Sequence, residues 1–116
     1  MSTQYLGNGT YLANVAITAF RLVSITGASV TYTAADGKPD GVAQTDAASG
    51  DYVAVRYIQE GGTQKGTSAV SVIAINDVLY SGALGTVAVT GTQRVGRALN
   101  ASAVTGQVIE FIADTL

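Results

Sequence analysis

Asp36-Gly-Lys-Pro-Asp-Gly41 spaces two carboxylates around a proline, and a calcium loop is the first chemistry such a segment suggests. That chemistry needs oxygen ligands at loop positions one, three, five and twelve. Lys38 stands at the third of these positions and Ala47 at the twelfth, so the segment reads as a polar turn with Pro39 in its middle. Gly61-Gly-Thr-Gln-Lys-Gly-Thr67 holds the residue types of a phosphate loop in the wrong order. Lys65 precedes Gly66 and no helical pattern follows, which leaves a flexible hairpin or surface loop. Asp51, Glu60, Asp77, Glu110 and Asp114 are scattered along the chain and read as solvated, because acid–base work requires two carboxylates to meet in a cleft. No Gly-x-Ser-x-Gly nucleophile elbow is present. With neither His nor Cys, the chain lacks the commonest general base, the commonest metal ligand and any thiolate. The expectation is a protein that is not an enzyme, with no catalytic, cofactor-binding or metal-binding residues and no cofactor.

What remains is surface. Charged residues are only 12% of the 116, against a usual share of about 25%. The 14 Thr and 8 Ser must supply much of the neutral polar cover. A net charge of −2 has the wrong sign to bind phosphate backbones, so no nucleic-acid partner is expected. Arg94 and Arg97 flank Val95-Gly96; on a regular strand they would face opposite ways, and they are the candidates for pairing with acidic groups on another copy of the chain. No apolar run approaches the ~20 residues that span a bilayer, so no membrane is expected. Met1 to Thr10 shows neither a basic nor an apolar leader pattern, which predicts synthesis in a cytoplasm without export.

The elements that carry these residues read as strands. Val, Ile and Thr number 35, against 14 Gly and a single Pro, a balance that favours short strands broken by glycine turns. Strands are expected within 15–25, 29–33, 52–58, 69–75, 78–80, 86–90 and 107–113. In Tyr52-Val-Ala-Val-Arg-Tyr-Ile58, Val53 and Val55 should point into a core. Helix is expected only as single turns near Ala47 and Ala101, each ending at a glycine, Gly50 or Gly106. The expected architecture is all-β, a small β-barrel or sandwich of short antiparallel strands.

Two features organise the chain further. Gly41, Ala43, Ala48, Gly50, Val53 and Val55 align with Gly96, Ala98, Ala103, Gly106, Ile109 and Phe111 after one inserted residue, which reads as a strand-loop-strand unit used twice, with chance similarity between Ala/Gly-rich turns as the alternative. Ahead of it, Tyr5-Leu-Gly-Asn-Gly-Thr-Tyr-Leu12 sets Asn8-Gly9 between two Tyr/Leu pairs. That pattern is either a type I′ hairpin or an extended arm that orders on a partner. The expected division is therefore an N-terminal arm or hairpin over 1–19 and a single β domain over 20–116. Tyr5, Leu6, Tyr11 and Leu12 are the candidate contacts to a partner surface.

Lys38-Pro-Asp-Gly-Val-Ala, Gly50-Asp-Tyr-Val-Ala-Val55, Ile75-Asn-Asp-Val-Leu-Tyr80, Val95-Gly-Arg-Ala98 and Gly106-Gln-Val-Ile-Glu-Phe111 follow one another in an order that resembles the small capsid decoration, or cement, proteins of tailed phages. The likeness covers roughly residues 28 to 113, with Asn76-Asp77 in place of a Gly-Asp turn and Phe111 in place of a final Val. The resemblance implies a compact β-barrel or sandwich that forms a homotrimer on the outside of the phage head. There it would bind the major capsid protein and stabilise contacts between neighbouring capsid subunits. A carbohydrate- or receptor-binding module of a phage tail or fibre is the alternative, motivated by the six tyrosines.

Overall fold

Short strands carry the chain through the computed structural model, which describes residues 8–58, 63–70 and 72–113. Five of them, β1 (Asn8–Ala13), β2 (Leu22–Thr26), β3 (Ser29–Tyr32), β4 (Gly41–Ala43) and β5 (Tyr52–Tyr57), close into a barrel in the order β1-β3-β2-β4-β5. A second sheet follows, built from β6 (Thr63–Thr67), β7 (Val78–Ser81), β8 (Val87–Ala88), β9 (Arg94–Ala98) and β10 (Val108–Ala113) in the order β6-β10-β9-β7-β8. The all-β expectation holds, and pairing is antiparallel except between β1 and β3 and at the Ser68–Val87 bridge.

The repeat seen in the sequence is the visible part of a larger duplication. Replacing β1 to β5 in turn by β6 to β10 converts the order of the first sheet into that of the second. The closure is echoed in reduced form: Ala13 pairs with Val30 in parallel across β1 and β3, and Ser68, just past β6, makes one isolated parallel bridge to Val87 of β8, on which account the second sheet is termed the second barrel. Ala43 faces Val55 in the first barrel as Ala98 faces Phe111 in the second. Isolated bridges Ile17–Ala47 and Ile73–Ser102 occupy matching corners. Gly41 and Gly96 are glycine for one reason. A Cβ at Gly41 would sit 2.5 Å from Val55 Cγ1 and 2.7 Å from the Arg56 carbonyl oxygen, and one at Gly96 would collide with the Ile112 carbonyl oxygen.

Packing fuses the two barrels. Ala13, Ile17, Val23, Val30, Ala43, Val53 and Val55 fill the first barrel. Leu22, next to Val23 on β2, points to the opposite face and is also fully buried. With its register partner Val42, and with Ile58, it joins Ile73, Leu79, Val87, Val95, Ile109 and Phe111 of the second barrel in one cluster. The wall of barrel one is thus part of the core of barrel two. Hydrogen bonds cross the same junction: Gly85 N–H to the Thr33 carbonyl (3.0 Å), Thr67 Oγ1 to the Phe20 carbonyl (2.8 Å) and Ser81 Oγ to the Gly37 carbonyl (2.7 Å).

Several expectations are corrected. Residues 8–13 form neither an extended arm nor a turn at Asn8-Gly9: β1 pairs with β5 from Asn8–Arg56 to Leu12–Tyr52 as a strand of the first barrel. Gly9 lies within a strand rather than a turn, and a Cβ there would meet the Tyr57 hydroxyl and the Tyr11 ring. The supposed loop at Gly61–Thr67 contains β6. Its polar sequence is tolerated because β10 pairs with it along its length, and Gly66 lies close enough to Phe111 that a Cβ would be 3.0 Å from the ring. No helical turn forms at Ala47 or Ala101. Ala47 instead exchanges backbone bonds with Ile17 (2.8 and 2.9 Å), and Ser102 does so with Ile73. The described residues within 69–75 carry only the Ile73–Ser102 bridge rather than a strand.

Candidate functional site

The polar segments with possible chemistry turn out to be ties within the fold. Asp36 Oδ1 accepts the Thr92 N–H (2.8 Å) and Asp40 Oδ2 accepts the Ile25 N–H (2.8 Å), so both carboxylates of the proline loop are used by backbone donors. Asp77 Oδ2 accepts the Ala74 N–H (2.8 Å). Among the described residues no group of three or more His, Cys, Asp or Glu side chains could hold a metal ion. Glu60 and Asp114 lie outside the described residues.

The partner-contact candidates separate into two faces. Tyr5 and Leu6 lie outside the described residues. Tyr11 and Leu12 are neighbours on β1 and therefore point opposite ways. Tyr11, opposite buried Val53, faces inward and is only half-exposed. Its hydroxyl bonds that of Tyr57, and the two rings meet edge to face at 6.3 Å. Leu12, opposite Tyr52, faces outward. Tyr52 is 71% exposed and with Leu12 forms an outward apolar pair on the first barrel, whose Val15 is also exposed. The second barrel exposes Val72, Ile75, Val104 and Val108, of which Val108 starts β10 as Tyr52 starts β5. The alternation of 52–58 already put Tyr52 on the outer face; its solvent exposure was the missing piece.

Arg94 and Arg97 do not face opposite ways. The β7–β9 register shifts between Leu79 and Tyr80, so that Val78 faces Arg97, Leu79 faces Gly96 and Tyr80 faces Arg94. One residue of β9 is absorbed in this bulge, and Val95 and Gly96 are both buried. Since Val78 and Tyr80 share a face, their partners Arg97 and Arg94 share it too, and both are exposed. Arg97 NH1 donates to Asn76 Oδ1 at 2.7 Å.

Where the barrels meet, a cleft of about 280 Å³ opens among Phe20, Gln44 and Arg56 of the first and Thr63, Gln64, Lys65 and Glu110 of the second. Lys65 and Glu110 face each other across β6 and β10. The Lys65 ammonium stands 5.3 Å from the centre of the Phe20 ring, a cation–π distance. No sequence pattern could have shown this cleft, because its walls come from opposite halves of the chain.

No family model matches the sequence, and no curated protein does. Among solved structures, the fold is similar to the head fiber gp8.5 N base of bacteriophage phi29, with a TM-score of 0.80 at 23% identity over 93% of each chain. At that identity the likeness establishes a shared fold.

Proposed function

We propose that this protein is a structural component of a phage head, bound on its outer surface as a homotrimer, where it stabilises contacts between major capsid subunits. The observation that carries this reading is the fold shared over 93% of each chain with the base of a phage head fiber. The order of short motifs that resembles capsid decoration proteins points the same way. So does the chemistry: in a charge-poor β protein where Asp36, Asp40, Asp46 and Asp77 are engaged by backbone donors, the surfaces are what is left to offer.

In this reading Tyr5, Leu6 and Leu12, with Tyr52 beside Leu12, contact the capsid, and Tyr11 contributes by holding β1 in place. Arg94 and Arg97, brought to one face by the bulge, lie at the interface between copies. Exposed apolar side chains beside one another are what such contacts bury. The test is imaging of purified heads with and without the protein. Ordered extra density on the outside of the shell, with heads that survive heating or dilution better when it is present, is the expected result. Shells that never acquire the density, together with binding to tail preparations, would move the protein to the tail-fibre alternative.

A further inference from the structure

We propose that the outer wall of the second barrel, the row Val78, Arg97 and Ile112 with Leu99 beside it, docks on the first barrel of a second copy of this chain. The contact that joins the two barrels within one chain is thereby repeated between copies. The inference deepens the proposed role of Arg94 and Arg97 and rests on the trimer of that reading, though not on binding to a head.

The duplication supplies the argument. Across β2, β4 and β5 of the first barrel, Leu22 pairs with Val42 and Val42 with Arg56; across β7, β9 and β10 of the second, Val78 pairs with Arg97 and Arg97 with Ile112. The next register position matches as well. Gln44 donates its N–H to the Ala54 carbonyl (2.8 Å), and Leu99 donates its N–H to the Glu110 carbonyl (2.9 Å). The two rows are thus one surface made twice. In the first barrel that surface is docked: Leu22 and Val42 are fully buried in the core of the second, and Arg56 and Gln44 line the cleft with Lys65 and Glu110. In the second barrel it is open. Val78, Leu99 and Ile112 are half-exposed and Arg97 is exposed. An antiparallel sheet face that turns to water carries polar residues, so three aliphatic side chains on this one mark a surface that a partner covers.

The receiving surface is duplicated in the same way, which identifies the occupant. Within the chain, the wall of the first barrel meets β6 and β10 at the register pair Lys65–Glu110. The matching pair on β1 and β5 is Thr10–Ala54, with Thr10 exposed and Ala54 half-exposed. It lies two residues along from Leu12–Tyr52, about 7 Å away, and so leaves those side chains to the shell. The side chains suit a shallower contact than the internal one. The first barrel is closed between β1 and β3, whereas the second is bridged at the matching place only by Ser68–Val87 and takes Leu22 and Val42 into its core. Arg97, standing where the first barrel has Val42, suits a wall that rests against a closed barrel rather than entering one. A wall that meets a different surface makes a head-to-tail contact, and a ring of three copies requires contacts of that kind.

The chain contains no cysteine, so introduced thiols report this contact alone. Gln44 and Lys65 line one cleft in the internal junction, and their counterparts between copies are Leu99 and Thr10. Thr10→Cys and Leu99→Cys are made as separate full-length chains, each checked for the melting temperature and light-scattering mass of the wild type. They are then mixed dilute, concentrated together and treated with a short bis-maleimide. Covalent dimer is expected from the mixture and from neither variant alone, because position 10 of one copy meets position 99 of the next and never its own counterpart. Ala54→Cys with Ile112→Cys gives the same test should either of the first variants lose the wild-type mass. A trimeric wild type whose mixed variants give no covalent dimer, or whose single variants cross-link as well as the mixture, would overturn the docking and leave the trimer standing. A wild-type chain that stays monomeric in concentrated solution would overturn the docking and the homotrimer together.

Discussion

Phe20 and Asn76 occupy the same corner of successive barrels: each has a left-handed backbone (φ 64° and 75°), and each donates its N–H to an alanine carbonyl at the end of a short strand, Ala43 at 2.7 Å and Ala98 at 2.8 Å. The corner bond fixes the conformation and the residue has to accept it. Asn76→Gly should therefore leave stability nearly unchanged, while Asn76→Val should cost about 1–2 kcal/mol. Urea unfolding of the two variants checks this, and equal losses would show that the conformation is not what constrains the position.

Gly96 carries a second test of the duplication. A Cβ there meets the Ile112 backbone oxygen, which cannot swing aside as a side chain could. Gly96→Ala should destabilise by roughly 1–3 kcal/mol, as overpacking of a tight site does, and Gly41→Ala should behave alike. At Gly50, where φ is 92° and a Cβ would meet nothing, the smaller penalty of a strained turn is expected.

Phe111 is fully buried in the cluster that both barrels share. Truncation to alanine should cost about 3–5 kcal/mol. Because Leu22 and Val42 of the first barrel belong to that cluster, the variant should melt in one transition at a lower temperature. Calorimetry that resolved two separate transitions would show the barrels to be independent.

Deletion of residues 2–7 leaves β1 whole, whereas deletion of residues 2–12 removes most of it. The shorter deletion should keep the melting temperature of the full chain and reduce occupancy on purified heads. The longer one should unfold the first barrel. Full occupancy by the shorter variant would remove Tyr5 and Leu6 from the proposed capsid contact.

Arg94→Ser with Arg97→Ser alters two exposed side chains on one face of β9. Melting should change little, by less than about 1 kcal/mol, since surface charges contribute weakly. Under the proposed homotrimer, light scattering should show the wild-type chain as a trimer and the double variant shifted toward monomer; a variant that stays as trimeric as the wild type would place the proposed interface elsewhere.

How much of this was legible in the sequence depends on where each residue finds its partners. Val53 and Val55 could be placed by alternation alone, because one strand with one buried face writes its pattern locally. Ile109 and Phe111 followed from the aligned repeat. β6 was not legible: Gln64, Lys65 and Gly66 have little strand preference of their own, and the strand exists because β10 pairs with it. The bulge that turns Arg94 and Arg97 to one side was hidden for a related reason, as it depends on the register against β7. The cleft and the shared cluster lay furthest out of reach, since both arise only when the two halves pack.

Leu22, Val42 and Ile58 have a further consequence during synthesis. A ribosome delivers all of β1 to β5 before β6, so the first barrel can close while the chain is still growing. Until the second half arrives, these three side chains form an uncovered apolar wall, on the outside of a barrel whose own interior is already filled. Nascent chains whose first 58 residues have emerged from the ribosome, but which lack β10, should therefore be sticky folding units that attract chaperones, and release should follow emergence of β10, when Ile109 and Phe111 come to cover the wall.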